Sequence, residues 1–466
     1  MNIARTKIIA TIGPATWNSA ILKKMYENGM RLARINASFA DEAELDRVSK
    51  QLREISPRIA TILDTQGTKI RVKGVTKEVE VKDTLILSSD ENANPNVVKV
   101  TYPFLHEDVV IGTKILLDDG NIQLSVKQIK GSEVICDVRQ SGILKPNKTV
   151  NIPSVNLRFP PLTEKDKKDI VYASSHGFDF ISVSFVRTKE DILSVRKLIG
   201  QSDAKIIAKI ENRQGVNNFD EILKETDAVM IARGDMGVEM DLEEVPLIQK
   251  QLIYKCRKAG KPVIVATQML ESMRENKRPT RAEVSDVANA VMDGTDCLML
   301  SAETSTGNYP VEAVETMNRI ALKTEGIMKL SPIAGKTSAG VQEDSIGLTV
   351  CRLTEEIGVK GIIIISNSEK IIGTISRHRP NVPIFVLNTS IRSVRKNVIY
   401  RGVKTYHIDN LSDDRDANVI LAVERVYGNG ELDLLDKIAI ISGSSIKNKD
   451  SDSILEILTV KDVLNL

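Results

Sequence analysis

The chain has 466 residues, which is enough for two to four domains of ordinary size. Its 64 Lys and Arg residues nearly balance its 62 Asp and Glu residues, so it is neither a polycation for nucleic acid nor an acidic disordered chain. The longest apolar runs, such as Gly361–Ile365, are far shorter than the roughly 20 residues that a membrane-spanning helix needs. We therefore expect a globular protein that has no membrane or nucleic-acid partner.

The cysteines and the N-terminal segment indicate the compartment. Cys136, Cys256, Cys297 and Cys351 have no paired spacing, which argues against a disulfide scaffold or a zinc site and favours a reducing, cytoplasmic location. The run Lys7–Gly13 is typical of a core strand rather than of a secretory leader, because no small-residue cleavage site follows it.

Short β-branched segments alternate with amphipathic helical segments along much of the chain. Eight of them read as buried parallel strands: Lys7–Gly13, Arg31–Asn36, Arg58–Thr65, Phe178–Val186, Lys205–Glu211, Ala228–Arg233, Pro262–Gln268 and Cys297–Glu303. Helices are predicted over 41–55, Glu164–Ser175, Thr188–Ile199, Val216–Glu225, from Pro246, and over Arg281–Met292 and Val311–Thr324. Eight strand–helix units predict an α/β fold of the (β/α)8 TIM-barrel type, with an open doubly wound sheet as the alternative.

Two further domains are predicted around this barrel. Residues 72–153 show short alternating strands separated by Asp-Gly and Lys-Gly turns, which predict an all-β lid inserted over the C-terminal mouth of the barrel. The barrel itself would then comprise residues 1–71 and 154–328. After the connector Lys329–Gly340, residues 341–466 predict a three-layer α/β domain. Its predicted elements are the helix Ile346–Ile357, the strand Gly361–Ile365, the helix Ile371–Arg377 and the strands Pro383–Leu387 and Lys437–Ile441.

Polar side chains concentrate at the predicted C-terminal ends of the barrel strands, where barrel enzymes place their active sites. Glu211 and Asp235 form a candidate metal pair, because two carboxylates completed by phosphate and water suit Mg²⁺ or Mn²⁺ better than zinc. Lys209 stands two residues before Glu211, so both side chains should project from the same side of the strand. A lysine in this place can stabilise an oxyanion or a transferring phosphoryl group.

Groups suited to binding anions stand beside these residues. Arg34 and Arg71 suit phosphate oxygens, and the turn Arg233–Gly237 offers backbone N–H groups to a carboxylate or phosphate. Taken singly, each could be an ordinary structural ion pair. Taken together, they predict a Mg²⁺-assisted enzyme that acts on a small phosphorylated substrate, and the lid suggests a second substrate that must be shielded from water.

Seven segments, in order along the chain, closely resemble motifs of the pyruvate kinase family. They are Thr6–Pro14, Arg34–Ser38, Ile206–Asn212, Ala232–Glu239, Ala266–Met273, Pro279–Asp286 and Asp293–Thr304. The resemblance implies transfer of the phosphoryl group of phosphoenolpyruvate to ADP, giving pyruvate and ATP in glycolysis, with Mg²⁺ or Mn²⁺ as cofactor. It also implies a homotetramer whose C-terminal domain lies at a subunit interface and takes part in regulation.

Roles at the reacting centre follow from the resemblance, motif by motif. Lys209 would stabilise the transferring phosphoryl group and the enolate, and Glu211 and Asp235 would bind Mg²⁺. The backbone of Gly234 and Asp235, with the hydroxyl of Thr267, would hold the carboxylate of phosphoenolpyruvate.

Further roles are implied around this centre. Arg34 would bind the phosphate of phosphoenolpyruvate. Arg71 and Lys148 would contact the phosphates of the nucleotide. Ser301 and Glu303 would belong to the path that delivers a proton to the enolate carbon.

The monovalent-cation site departs from the family pattern. Its usual ligands are present as Asn36, Ser38, Asp64 and Thr65, and Asn36 is also expected at the nucleotide. The family pattern Asp-Thr-Lys-Gly-Pro-Glu-Ile-Arg appears as Asp-Thr-Gln-Gly-Thr-Lys-Ile-Arg from Asp64 onward, so Lys69 replaces the usual glutamate. Because a tethered ammonium can act in place of K⁺, we expect no K⁺ requirement. In the alternative, Lys69 turns to solvent and K⁺ still binds.

The effector loop of the third domain also differs from the family pattern. The sequence Ser-Asn-Ser-Glu-Lys from Ser366 lacks the usual glycine and includes an acid that would repel phosphate. We therefore expect no activation by fructose 1,6-bisphosphate. Ser366, Ser368, Ser444 and Ser445 could bind another phosphorylated effector or belong to plain solvated loops.

Two other functions are open at this point. A Mg²⁺-dependent aldolase or lyase of 2-oxo acids could use the same barrel, but Arg71 and Lys148 indicate an ADP site that a lyase does not need. The second is a non-catalytic pyruvate-kinase-like protein, which the departures from the family pattern at Phe39, Gln66 and Lys69 leave open. The intact catalytic set argues against it: Lys209, Glu211, Asp235 and Thr267.

Overall fold

The computed structural model describes residues 3–94, 97–153, 155–328, 330–333, 335, 337, 340–366, 369–443 and 454–466. Within these ranges, no helix has both the length and the apolar character needed to cross a bilayer. All four cysteines are buried free thiols.

Eight parallel strands close into a barrel, which confirms the predicted (β/α)8 fold. The strands are Lys7–Ile12, Met30–Asn36, Ala60–Asp64, Phe180–Val183, Lys205–Ile210, Ala228–Ala232, Val263–Ala266 and Cys297–Leu300. All but the second end one to three residues before their predicted ends. The reason is that the polar residues at these ends leave the sheet and form the loops of the barrel mouth, the C-terminal end of the eight strands.

Helices surround the barrel. They are Ser19–Glu27, Glu42–Ile55, Glu164–Ser175, Lys189–Ile199, Arg213–Asn217, Phe219–Glu225, Arg233–Glu239, Val245–Ala259, Arg281–Asp293, Ala302–Ser305 and Pro310–Ile327, with 3₁₀ turns at Pro14–Thr16 and Glu271–Arg274. The single helix predicted over Val216–Glu225 is wrong, because the segment forms two helices that meet at Asn218. The side chain of Asn212 caps the first by accepting a hydrogen bond from the N–H of Gly215 at 2.8 Å.

The barrel strands are buried on both faces, as strands between a filled interior and a ring of helices must be. Ile9, Leu32, Ile207 and Met230 belong to the cluster that fills the barrel. Their neighbours on the same strands, such as Ile8, pack outward in a separate cluster that includes the surrounding helices.

A second, smaller closed barrel is inserted after the third strand. Its strands are Ile70–Lys73, Thr84–Ser88, Val98–Val100, Lys114–Leu117, Ile122–Lys130, Glu133–Gln140 and Thr149–Asn151. Val79–Val81 pairs separately with Gly142–Leu144, and the short helix Leu105–Asp108 packs nearby. The first strand pairs with the last, so the chain enters and leaves this domain, here called the lid, at adjacent positions.

The C-terminal domain is a five-stranded sheet with helices on both faces. In spatial order its strands are Val403–His407, Ile384–Asn388, Gly361–Ile365, Lys437–Ser442 and Ile454–Thr459, the last antiparallel. Its helices are Val341–Glu356, Glu369–Ser376, Ile391–Asn397, Arg415–Gly428 and Val460–Leu464. The first helix begins five residues before the predicted Ile346, because its opening turn is largely exposed and lacks the apolar periodicity that marks a helix in sequence.

Buried ion pairs join this domain to the N-terminal ends of the barrel strands, opposite the mouth. Arg379 lies 2.7 Å from Asp296, which precedes the eighth strand. Arg395 lies 2.7 Å from Asp179, which precedes the fourth strand. Each barrel acid thus holds an arginine of the C-terminal domain.

Candidate active site

A buried cluster of charges occupies the centre of the barrel mouth. The Nζ of Lys209 lies 3.2 Å from Oδ1 of Asp64 and 3.2 Å from Oε1 of Glu211. It also donates a hydrogen bond to the Oγ of Ser184 at 2.7 Å. The Nε of Arg34 donates to Oδ2 of Asp64 at 2.7 Å. The second, third and fifth strands therefore bring two cations and two acids to one point, and the fourth strand end adds the hydroxyl of Ser184.

The cluster sets the protonation of its members. Burial opposes the charge of Lys209, but Asp64 and Glu211 outweigh it and raise the pKa of this lysine, which is therefore cationic at neutral pH. Burial likewise opposes ionisation of Asp64, but Arg34 and Lys209 outweigh it and lower the pKa of Asp64. For Glu211, burial prevails over the charge of Lys209 and raises the pKa, and the charge of Asp235 adds to this rise.

The open oxygens of the cluster fit a divalent ion. Oε1 of Glu211 and Oδ1 of Asp64 are buried and accept no hydrogen bond from the described residues, so the ion pair with Lys209 at 3.2 Å leaves coordination positions on both, while Oε2 of Glu211 accepts the N–H of Phe185 at 2.7 Å. Hard divalent cations prefer such carboxylate oxygens. In the described part of the chain, no three or more His, Cys, Asp or Glu residues form a group that could hold a metal alone. Glu211 and Asp235 would therefore need water and substrate oxygens to complete a coordination shell.

Lys69 points into the mouth. Its Nζ lies 2.7 Å from Oδ1 of Asp235 and 5.2 Å from the ring centre of Phe185. The ammonium therefore contacts Asp235, a candidate metal ligand. Among the described residues, it forms no ion pair with Asp64, an expected ligand of the monovalent cation. About a third of the side chain, 33%, remains exposed.

The groups expected to hold a carboxylate lie together and bond to one another. The N–H of Gly234 donates to Oγ1 of Thr267 at 2.7 Å, and the Thr267 hydroxyl donates to the carbonyl of Ala266 at 2.6 Å. Thr267 has a φ of +69°, which is unusual for a β-branched residue. Arg233 holds this backbone by donating to the carbonyl of Thr267 at 3.0 Å. Strain of this kind is often found at functional sites.

The residues expected at a monovalent cation meet at the ends of the second and third strands. Oδ1 of Asn36 accepts the N–H of Ser38 at 3.0 Å, and the carbonyl of Asp64 accepts the N–H of Ala37 at 2.9 Å. Oγ1 of Thr65 accepts the N–H of Ser184 at 3.0 Å, which ties the third strand end to the fourth.

The residues expected at the nucleotide phosphates lie on the lid and contact lid partners. Arg71 donates to the carbonyl of Asn147 at 3.0 Å. Lys148 lies 2.6 Å from Oδ1 of Asp118, and its hydrogen bond to that carboxylate raises the pKa of the lysine. Neither side chain is therefore held against the barrel.

Ser301 and Glu303 lie just past the eighth strand. Glu303 is fully buried and accepts the N–H groups of Ser301 at 2.7 Å and Leu270 at 3.1 Å. Burial is the main reason that the pKa of Glu303 is raised. The Oγ of Ser301 is buried and has no hydrogen-bond partner among the described residues, so it retains the capacity for a further hydrogen bond.

A cavity of about 520 Å³ separates the lid from the barrel and opens beside the charge cluster. Lys69 and Asp235 line it, whereas Lys209 and Glu211 lie outside its lining. Asn151 of the lid also lines this cavity. It donates a hydrogen bond to Oε1 of Glu239 at 2.8 Å, which links the lid to the barrel directly.

Ser184, Phe185, Asn151 and Glu239 were not predicted as site residues from the sequence. Ser184 and Phe185 follow the fourth strand directly, and a polar residue at a strand end is the local signal that marks Ser184. Asn151 and Glu239 carry no local signal, because their contact joins residues 88 positions apart.

Two places where the sequence departs from the family pattern are the position of Phe39 and the effector loop that begins at Ser366. Phe39, which stands in place of the usual histidine, is 87% exposed at the mouth. Ser366 is buried, while Ser368, Ser444 and Ser445 lie outside the described residues. The acid of the effector loop, Glu369, lies 2.6 Å from Lys205 of the barrel, so its charge is paired.

Comparisons with known proteins agree with this geometry. The family model of the pyruvate kinase barrel domain matches residues 3–314, and that of the pyruvate kinase alpha/beta domain matches residues 344–458. Pyruvate kinases of Geobacillus stearothermophilus and Bacillus licheniformis are each 41% identical to the chain, over 99% of it and 81% of their own length. A crystal structure of a pyruvate kinase from Cryptosporidium parvum matches with a TM-score of 0.91 and 32% identity, covering 98% of this chain and 96% of that one. The chain therefore belongs to the pyruvate kinase family.

Proposed function

We propose that this protein transfers the phosphoryl group of phosphoenolpyruvate to ADP, giving pyruvate and ATP as the last step of glycolysis in the cytoplasm. The observation that carries the proposal is the buried cluster of Arg34, Asp64, Lys209 and Glu211. It combines a lysine that is cationic at neutral pH, an arginine suited to phosphate, and carboxylate oxygens that accept no hydrogen bond from the described residues and suit a divalent ion.

Each group has a distinct task in this reaction. Glu211 and Asp235 would hold Mg²⁺ or Mn²⁺, which neutralises charge on the phosphoryl oxygens when it is bound. Lys209 acts as a fixed positive charge toward the phosphoryl group and the enolate oxygen, since its raised pKa makes it a poor base. Arg34 binds the phosphate in an orientation fixed by Asp64.

Residues at the ends of the sixth, seventh and eighth strands would bind the carboxylate of the substrate and deliver the proton. The N–H of Gly234 and the hydroxyl of Thr267 would exchange their mutual contact for the carboxylate of phosphoenolpyruvate. Thr267, Ser301 and Glu303 would form the proton path to the enolate carbon, since the Oγ of Ser301 is buried and unpartnered among the described residues.

The lid would complete the nucleotide site. Arg71 and Lys148 are tied to lid atoms, so closure of the lid would bring both toward nucleotide phosphates beside Asn36. In exchange they would release the carbonyl of Asn147 and the carboxylate of Asp118.

We further propose that the enzyme needs a divalent ion but not K⁺, and that fructose 1,6-bisphosphate does not activate it. The position of Lys69 inside the mouth supports the first part, because it supplies a permanent positive charge there. The second part rests on the loop from Ser366, where Glu369 replaces the glycine of the phosphate-binding pattern.

We propose a homotetramer in which the C-terminal domain takes part in subunit contacts and regulation. On the barrel, Leu247 and Tyr254 of one helix are 62% and 53% exposed, and Met292 of a neighbouring helix is 44% exposed. Exposed apolar residues on adjacent helices are typical of a protein interface.

An assay of phosphoenolpyruvate and ADP in a tetramethylammonium buffer tests the activity. We expect pyruvate formation that requires both ADP and Mg²⁺, does not rise on addition of K⁺, and has a half-saturation for phosphoenolpyruvate that fructose 1,6-bisphosphate leaves unchanged. Pyruvate formed without ADP would contradict the kinase and favour a lyase. A many-fold rise with K⁺ would contradict only the cation part.

A further inference from the structure

The carboxylate of Asp166 accepts four hydrogen bonds from two separate segments of chain. Its Oδ1 accepts the N–H groups of Gln66 at 3.0 Å and Gly67 at 3.2 Å. Its Oδ2 accepts the N–H of Thr163 at 3.1 Å and the Thr163 hydroxyl at 2.7 Å. The residue is 1% exposed, so no water replaces these donors.

These two segments are the connections between barrel and lid. Gln66 and Gly67 belong to the outgoing connection, between the third barrel strand and the first lid strand, Ile70–Lys73. Thr163 is the last residue of the returning connection, and it caps the helix Glu164–Ser175. One buried carboxylate therefore ties together the outgoing and returning connections at the point where the lid leaves the barrel.

The outgoing connection also carries Lys69. Its turn is packed against the fourth strand end, because a Cβ on Gly67 would lie only 2.7 Å from the Cβ of Ser184. Only two residues separate Gly67 from Ile70, where the lid sheet begins. Lys69 lies within that span, so the position of its backbone depends on the turn that Asp166 holds.

We propose that Asp166 is a positioning residue that keeps the ammonium of Lys69 in the barrel mouth and thereby makes K⁺ dispensable. The inference rests on the proposed K⁺-independent function. We assign Asp166 no contact with substrate, because it is buried and its carboxylate already accepts four hydrogen bonds from the chain itself. It acts through the turn, the turn places Lys69, and Lys69 supplies the charge beside Asp235.

The substitution Asp166→Asn tests this proposal with little change in size. An amide has one acceptor oxygen, and its nitrogen must face N–H or O–H donors on one of the two connections. That contact becomes repulsive and leaves buried donors unpaired. The turn should loosen and Lys69 should leave the mouth, and K⁺ bound by Asn36, Ser38, Asp64 and Thr65 should then supply the missing positive charge.

Activity is measured in tetramethylammonium buffer while K⁺ is added. We expect the wild type to show no response. Asp166→Asn should lose about 10-fold or more in kcat/KM without K⁺, since small displacements in an active site can cost up to about 10²-fold. K⁺ should restore most of this loss. Asp166→Glu, which keeps the charge but shifts the oxygens, should show the same response to a smaller degree.

A matched control lies on the same helix. Asp169 pairs with Lys165 at 2.7 Å and forms no hydrogen bond or ion pair with the described residues of either lid connection, so Asp169→Asn should behave as the wild type. Hydrogen exchange of the peptide covering residues 60–70 reports the turn directly. It should accelerate in both Asp166 variants and not in the control.

The outcomes separate positioning from general structural support. If Asp166→Asn and Asp166→Glu are slow and K⁺ does not restore them, Asp166 merely supports the fold and the proposal is overturned. Unchanged exchange of residues 60–70 in both variants would overturn it as well. If K⁺ stimulates the wild type itself, the K⁺-independent function fails and this inference fails with it. In that case, faster exchange in the variants would still show that Asp166 holds the turn.

Discussion

The Nζ of Lys69 lies 2.7 Å from Oδ1 of Asp235, so an ammonium group contacts an oxygen expected to bind the divalent ion. Both side chains are about one-third exposed, at 33% and 30%. An ion pair of this exposure contributes no more than about 1 kcal/mol. A divalent ion can therefore displace Lys69 from Asp235 at small cost, while the lysine keeps its charge within the mouth.

The charge at position 69 should decide whether K⁺ is needed. We expect Lys69→Glu to lose about 10²-fold or more in activity in tetramethylammonium, comparable to the loss of one stabilising group at a reacting centre, and K⁺ to restore most of it. The reason is that the change removes a cation and adds an anion beside Asp235. Lys73→Glu is a suitable control, because Lys73 is 49% exposed on the lid and pairs with Glu91. Equal activity of Lys69→Glu with and without K⁺ would mean that Lys69 does not act as the cation.

The same contact should weaken divalent binding to the free enzyme. Lys69→Met removes the competing ammonium, so we expect Mn²⁺ to bind about 2–5-fold more tightly, which corresponds to a surface ion pair of about 0.5–1 kcal/mol. Electron paramagnetic resonance of free Mn²⁺ measures this affinity without any turnover. Weaker binding in Lys69→Met would show that Lys69 supports the metal site rather than competing with the ion.

Lys209 should be needed for chemistry and not for metal binding. Lys209→Met removes the positive charge that we propose acts on the transferring phosphoryl group, and we expect kcat to fall about 10³-fold or more. Binding of Mn²⁺ should persist, because Glu211 and Asp235 remain and lose a neighbouring cation. Circular dichroism and the Mn²⁺ titration check that the fold and the site survive. If the kcat of Lys209→Met stayed close to that of the wild type, the role given to this lysine would be contradicted.

The parts of the site that the sequence predicts are those carried by short motifs on single strands. Lys209 and Glu211 stand two residues apart on one strand, so local periodicity is enough to place them on the same side. Asp166 and Gln66 are 100 residues apart, and Lys69 meets Asp235 across 166 residues. Such contacts depend on how the lid connections pack on the barrel, which no local pattern encodes. The strand ends were predicted too long for a related reason: the residues that follow each strand leave the sheet to form the mouth, and no local pattern marks where the sheet ends.

His378 should make the protein sensitive to mild acid. It is 2% exposed, and burial lowers its pKa to about 4, with the charge of Arg377 adding to this effect and Asp344 opposing it. Arg257 and Arg379 face it as well and act in the same direction as burial. Between pH 6.5 and 4 the unfolded chain binds a proton that the native state excludes. The free energy of unfolding should therefore fall as the pH drops through this window, by about 3 kcal/mol in total.

The variant His378→Gln isolates this contribution. Its free energy of unfolding, measured in urea at pH 7, 6 and 5, should fall less steeply with acid than that of the wild type. His176→Gln is the control, because His176 is exposed and stacks on Tyr172, and its slope should match the wild type. If His378→Gln and the wild type had equal slopes, the buried histidine would not be the acid-sensitive group.

The ion pair of Arg379 and Asp296 should be needed to hold the C-terminal domain on the barrel. Both side chains are 2% exposed, and Asp296 also accepts the N–H groups of Val263 at 3.1 Å and Arg401 at 3.0 Å. Arg379→Ala leaves this carboxylate buried without its cation, and we expect a loss of about 3–5 kcal/mol in stability. Arg392 offers a comparison at the same interface, because it pairs with Asp203 at 2.7 Å but is 38% exposed. Arg392→Ala should cost less than about 1 kcal/mol. Equal losses in the two variants would show that burial does not set the importance of these pairs, whereas a large loss confined to Arg379→Ala identifies Asp296 as the anchor of the C-terminal domain.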